Sequence, residues 1–258
     1  MNDLQRVTAF LRAVDEGAST SVQPFEHGIA YLNDLLPRVY DRNFLLVTDP
    51  DVNPKELTRT ADRLLGDAGL AHRKLVFEQE APGRRATGAL GGAGWEYRRL
   101  AVMAYRGDGE AAPSSAADKA SEVDRLALLP ALETMIRMEP WGSVEADQEI
   151  VRQLSAADTA IERVVRQRCF ARLVNGRVVS SCRLYSDGSI AQIEDVATVP
   201  GHRQRGYAQA VMVKATSEAA VAHELVFLTA VDGRWVKRWY ERLGFEQVGL
   251  RYEATRSA

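Results

Sequence analysis

Apolar positions along the chain recur with two periods, and each period predicts a kind of element. Leu4, Val7, Leu11 and Val14 repeat at helical spacing and predict a short helix over residues 2–16. Residues 25–40 predict a second, mixed helical segment that ends near Pro37. The continuous apolar run at 43–48 has the character of a buried strand, closed by Asp49 and Pro50. Pro54 suits a first helical turn, and Leu57, Ala61, Leu64, Leu65 and Ala68 form one face of a helix over 54–69. Strands are expected at 72–78 and 95–105, separated by a Gly- and Ala-rich segment up to Gly94.

Residues 107–120 are small, polar and Pro-containing, which predicts a linker. Beyond it a short strand is expected at 121–124. A helix follows over 125–138, with Leu126, Leu129, Leu132 and Ile136 inward and Pro130 in its first turn or at a kink. Pro140-Trp141-Gly142 breaks it, and a second helix is expected over 144–163. Strands at 169–174 and 178–185 meet at Asn175-Gly176, a strong two-residue hairpin signal. A long strand at 189–199, a helix behind it, a strand at 225–231, a helix at 234–243 and a strand at 246–252 complete the chain, before a short polar tail. The order strand, helix, strand, small segment, strand therefore occurs twice. The expected class is α/β: a smaller N-terminal α/β domain at 1–106, a linker at 107–120 and a larger domain at 121–258.

The most informative stretch runs from Ile193 to Met212. Val196, Ala197, Thr198 and Val199 are small or β-branched, as a strand prefers. Pro200 ends the strand, since it cannot donate to a ladder. Then follow Arg203, Gly206 and Ala208, spaced R-x-x-G-x-A, and a helix with Ala208, Val211, Met212, Ala215 and Ala219 on one face. A small-residue loop that opens a helix offers unpaired N–H groups at the positive end of the helix dipole, an arrangement that binds phosphate. The spacing is neither G-x-x-x-x-G-K-[ST] nor G-x-G-x-x-G.

This stretch resembles the acyl-CoA pyrophosphate loop of the GNAT superfamily of N-acyltransferases, whose pattern [QR]-x-x-G-x-[GA] is filled by Arg203, Gly206 and Ala208. The preceding Glu194-Asp195-Val196 and the later Tyr240 ahead of Gly244-Phe245 agree with it, and the resemblance covers roughly residues 120–252. It implies a mixed, mostly antiparallel sheet flanked by helices, and acetyl transfer from acetyl-CoA to a primary amine by direct attack. In that scheme the backbone of Val196, Ala197, Thr198 and Val199 pairs with the pantetheine arm. The backbone N–H groups of Gln204, Arg205, Gly206, Tyr207, Ala208 and Gln209 take the pyrophosphate, with charge added by Arg203 and Arg205. Tyr240 is the candidate general acid; an amphipathic core tyrosine is the bland alternative. Glu194 and Asp195 are the candidate bases. Neighbours on a regular strand face opposite ways, so only one is expected to face the acceptor, and Glu194 is preferred because Gln192, Val196 and Thr198 share its face. Many relatives carry Asn where this chain has Gly233, which puts a CoA contact from that helix start in doubt.

The first half is either a degenerate, partial unit of the same kind or an unrelated α/β cap. Asp51-Val52-Asn53-Pro54-Lys55 stands where a phosphate loop would be, and Leu90 or Gly91 stands near the place of Tyr240. CoA is therefore expected on the second half alone. A non-catalytic acyl-CoA-binding or sensing module, and a scaffold without ligand, are the rival functional classes.

Global composition narrows the partners. The net charge of −2 argues against nucleic acid or an anionic membrane surface. Cys169 and Cys182 sit in apolar strands and are expected to be buried thiols, with a bridge geometrically possible; two Cys and four His offer no metal framework. With no apolar run of spanning length and no apolar leader, a cytoplasmic protein is expected. The acceptor is a small-molecule or peptide amine of unspecified identity, and a homodimer is left open.

Overall fold

The computed structural model describes residues 1–91, 94–107, 119–137 and 144–257. Most of the expected 107–120 linker and the Pro140-Trp141-Gly142 break lie outside the described residues. The elements, in chain order, are α1 (Asp3–Gly17), β1 (Ser21–Phe25), β2 (Gly28–Leu32), β3 (Phe44–Val47), α2 (Pro54–Asp67), β4 (His72–Phe77), α3 (Glu80–Leu90) and β5 (Glu96–Tyr105). The second half continues with β6 (Ser121–Val123), α4 (Leu129–Arg137), α5 (Val144–Glu162), β7 (Arg166–Val174), β8 (Arg177–Ser186), β9 (Ile190–Thr198), α6 (Tyr207–Ala222), β10 (Leu225–Val231), α7 (Trp235–Arg242) and β11 (Phe245–Ser257).

All eleven strands form one sheet, in the order β1-β2-β3-β4-β11-β5-β10-β9-β8-β7-β6. Every pairing is antiparallel except β3 with β4 and β9 with β10. Apart from β6, the order reads the same from both ends if β1 to β5 are matched with β7 to β11. The last strand of each half is exchanged. β11 lies between β4 and β5, and β5 lies between β11 and β10. Helices α2, α3, α6 and α7 cover one face. Val211, Met212, Ala215 and Ala219 of α6 are fully buried there against β8, β9 and β10, small residues that let the helix lie close to the strands. On the other face α1 packs through Val7, Phe10 and Val14 onto Val102, Ala104 and Phe227, beside Ile161 of α5. Fully burying side chains of this size contributes about 1.5–3 kcal/mol each.

Four elements differ from expectation. Residues 25–40 are not helical. Their first part completes the β1–β2 hairpin, turned at Glu26-His27, and sheet pairing of β2 with β3 outweighs a weak helical pattern. The Gly- and Ala-rich segment forms α3, where Gly83 is a packing residue: a Cβ there would lie 2.5 Å from Cγ of Tyr252. The 125–138 helix begins as a 3₁₀ turn at Arg125–Leu128, capped by Asp124, and becomes α-helical with Pro130 in its first turn. The supposed polar tail continues β11 to Ser257, because both its edges are paired and Ala254 is fully buried. Cys169 and Cys182 are free and buried. Among the described residues no helix is long and apolar enough to cross a membrane.

Candidate active site

β9 is the strand on which the site is built. Up to Gln192 it pairs with β8 on one edge and β10 on the other. Then Asp195 takes a left-handed backbone, φ 52°, and the register against β8 slips between Ser181 and Arg183. This is a bulge, which bends a strand and raises its twist. Beyond it β9 follows β8 to Thr198, but its other edge has left β10. A split opens in the parallel pair, with unpaired backbone of β9 along one side. Val196, Ala197, Thr198 and Val199 all lie beyond the bulge. Val196 and Ala197 line a cavity, Thr198 shares a hydrogen bond with Ser180 (2.9 Å), and Val199 donates its N–H to Val179 on the β8 side (2.9 Å).

At the end of β9 a short 3₁₀ turn over Pro200–His202 leads into the loop before α6. Arg203, Gln204, Arg205 and Gly206 are exposed. Arg203 Nε donates to the Thr198 carbonyl at 3.2 Å, tying the loop to the strand end. Gly206 is the N-cap of α6, at φ 73°, a conformation that glycine adopts without strain. It supplies no capping side chain, and a Cβ placed there would meet nothing within 4 Å. The first N–H groups of α6, from Tyr207, Ala208 and Gln209, therefore face open space with the helix dipole behind them.

The cavity occupies about 630 Å³ on the α1–α4–α5 face of the sheet, and its walls come from both halves of the chain. Glu194 stands in it. Its Oε1 accepts from Gln192 Nε2 (2.5 Å) and Thr229 Oγ1 (3.4 Å). Burial pushes the Glu194 carboxyl up to about 8; the charges of Asp195 and Asp41 add to this, and hydrogen bonds from the Asp195 backbone and Gln192 oppose it. Asp195 lines the same cavity, so the expected alternation between the two does not hold: the bulge breaks the two-residue period. The two are held differently. Asp195 is bound by Arg183 at 2.6 Å, and the same guanidinium reaches Asp158 at 2.8 Å. Sequence reasoning missed this cluster; an arginine within a largely apolar strand, as Arg183 is within V-V-S-S-C-R-L-Y, is the signal that could have found it. Nothing in the sequence marked Asp15, Asp41, Lys74 or Arg98 of the first half as walls of the same cavity.

Tyr240 is placed on the opposite face. It is 6% exposed and packs with Trp239, Phe245 and Cys182 where α7 meets β10 and β11. It does not line the cavity. Burial raises its phenol above the ordinary range, and the Glu194 charge, on the other side of the split, adds to that shift. Tyr240 thus stays protonated at neutral pH. Gly233, at φ 76°, turns the chain from β10 into α7; beside it Asp232 is bound to Arg99 (2.5 Å).

Residues 132–245 match the sequence model of the acetyltransferase (GNAT) family. The second half of this chain is a GNAT domain. No curated protein sequence matches the chain. Among solved structures, a functionally unknown conserved protein from Staphylococcus epidermidis is similar over 93% of this chain and 94% of its own, with a TM-score of 0.70 at 12% identity. A GCN5-related N-acetyltransferase from Kribbella flavida covers 100% and 97%, with a TM-score of 0.59 at 20% identity. A tandem GNAT protein from the clavulanic acid biosynthesis pathway covers 99% and 96%, with a TM-score of 0.53 at 13% identity. At these identities the likeness is one of fold, and it spans both halves of the chain. Family and fold together indicate acyl transfer from an acyl-CoA.

Proposed function

We propose that the protein is an N-acetyltransferase that moves an acetyl group from acetyl-CoA to a primary amine by direct attack in a ternary complex. The observation that carries this is Glu194: a partly buried carboxyl group, poised near 8, beside the split between β9 and β10 and without a cation partner among the described residues. The chain's residues fit an acyl-CoA. Gly206 leaves room for a pyrophosphate against the α6 N-terminus, and the unpaired edge of β9 offers N–H and C=O groups to the amide groups of a pantetheine arm.

Each residue then has one task. Glu194 takes a proton from the substrate ammonium, leaving the nitrogen lone pair free to attack the thioester carbonyl carbon. As the C–S bond breaks, Tyr240 gives its phenolic proton to the departing sulfur, the acetylated nitrogen gives up its second proton to leave a neutral amide, and that proton returns through solvent to the Tyr240 phenolate while Glu194 releases its own proton to solvent. A base is most effective with a pKa near the working pH, and the burial of Glu194 moves it there. Arg183 holds Asp195 and Asp158, fixing the bulge on which Glu194 stands.

The test is turnover of acetyl-CoA with a panel of primary amines, read by release of free thiol. Amine-dependent thiol release is expected. CoA-induced thermal stabilisation without any thiol release would instead make the protein a sensing module.

A further inference from the structure

The charges around the cavity are not evenly spread. At the β8–β9 end, Asp158, Asp195 and Glu194 are three carboxylates served by one cation, Arg183. At the other end, formed by α1, β4, β5, β11 and the turn at Tyr40–Arg42, the balance is reversed. Asp15 is shared by Arg42 (3.4 Å) and Arg251 (3.8 Å), while Lys74 holds Asp41 and Glu253. Arg98 joins this end from β5, exposed and without an ion-pair partner among the described residues. Four cations thus stand against three carboxylates there.

The strand register sets the distance between the ends. Glu194 touches Thr229, which pairs with Val102 of β5, and Arg98 lies four residues further along that strand. Arg251 is opposite Leu100, halfway between. At a rise of about 3.3 Å per residue, Arg98 is set back by ~13 Å and Arg251 by ~7 Å, before their long side chains reach inward.

We propose that the acceptor is an elongated zwitterion, a primary amine carrying a carboxylate several bonds away, bound with its ammonium at Glu194 and its carboxylate at Arg98. This rests on the acetyltransferase role proposed above and adds the substrate class. The ammonium enters the end where carboxylates outnumber cations, and the carboxylate meets the guanidinium that has no ion-pair partner among the described residues. Diamines bring a second positive charge to the end already rich in cations, and simple alkylamines leave Arg98 unanswered.

The experiment compares ω-amino acids of four to eight carbons with alkylamines and diamines of the same lengths, by thiol release from acetyl-CoA. One charged hydrogen bond corresponds to about tenfold or more in kcat/KM, so the best ω-amino acid should exceed its matching alkylamine by that factor, with the diamine lowest. Arg98→Gln should bring the ω-amino acid down to the level of its alkylamine, and Arg98→Lys should restore part of the difference. Arg98 is exposed, and a melting curve of each variant verifies the fold. Equal kcat/KM for ω-amino acids and alkylamines, or a preference for diamines, overturns the zwitterion and leaves the acetyltransferase standing. No thiol release with any amine overturns both. An ω-amino acid preference that survives Arg98→Gln places the carboxylate elsewhere and overturns the assignment.

Discussion

The two halves of this chain repeat one plan, and they differ most where a strand runs into the first long helix. In the second half, β9 and β10 pair over three residues and then both continue, apart, to Thr198 and Val231. In the first half, β3 and β4 also pair over three residues, but both strands stop where the pairing stops, at Val47 and Phe77. No split opens. The helix starts differ in the same sense. Gly206 leaves the N–H groups of α6 open, whereas Asn53 caps α2 by accepting from the Lys55 N–H (3.0 Å), and Pro54 has no N–H to give. Counted from the paired residues, Asp49 occupies the register of Glu194. It accepts from the Asp51 N–H and from His27 Nδ1 (2.8 Å each), which hold its carboxyl below the usual range, while burial holds Glu194 far above it. One plan thus carries an open strand edge with an uncapped helix start in one half and a closed, capped turn in the other, according to whether the polar groups are left unmatched or satisfied within the chain.

The most severe way to break the comparison is to separate the halves. Residues 119–258 alone lack β5, so β10 and β11 have no strand between them and β11 loses both neighbours. That fragment is expected to show no cooperative thermal transition; a cooperative melt with retained CoA binding would show that strand exchange is dispensable.

Glu194→Gln tests the carboxylate on one side of the comparison. Turnover should fall by ~10²–10⁴-fold while acetyl-CoA binding is kept. In the wild type, kcat/KM should rise with pH through about 8 as Glu194 ionises, and the variant should lose that limb. Stability carries the opposite sign. Glu194 is raised from about 4.3 in the unfolded chain, so between that value and 8 the native state binds the extra proton and stability falls as pH rises. The melting temperature of Glu194→Gln relative to wild type should therefore improve as pH rises across that range. A pH-independent difference would remove the buried carboxyl from the account.

Gly206→Glu should weaken CoA by ~10²-fold, since it removes access to two or more N–H donors and adds like charge. The fold should survive at a cost of about 1–2 kcal/mol, because the new side chain enters open space but glutamate is strained at the left-handed φ of this position. Wild-type affinity in a calorimetric titration would place the pyrophosphate elsewhere. Tyr240→Phe should lower kcat by ~10²-fold, the low end for a general acid when the leaving group is a thiolate, with little change in acetyl-CoA affinity. The first-half helix α3 ends in buried Leu90 and carries no tyrosine. A lower melting temperature with unchanged kcat would make Tyr240 a packing residue.

The smallest effect is expected at the satisfied turn. Asn53→Ala should cost about 1 kcal/mol of stability through loss of the α2 cap and leave one CoA per chain. A second CoA appearing in that variant would mean that the cap alone had closed the first-half site.

Local chemistry made much of the second half legible. Asn175 and Gly176 both take positive φ, as a two-residue turn between twisted strands demands, and β10 begins and ends where its apolar run does. The R-x-x-G-x-A spacing marked the open helix start, because a glycine cap and the residues behind it act within a few positions of one another. Tertiary structure decided what depends on partners distant in sequence. The hairpin at 21–32 formed because β3 was there to pair with it, and β11 ran on to Ser257 because β4 and β5 flanked it. The bulge at Asp195 turned two alternating carboxylates toward one cavity. The opposite wall came from Asp15, Asp41, Lys74 and Arg98, more than ninety residues away in the chain. Spacing along a sequence encodes which groups share a face of one element; strand exchange and the closing of a cavity are set by pairings between elements, which leave no periodic trace in either partner alone.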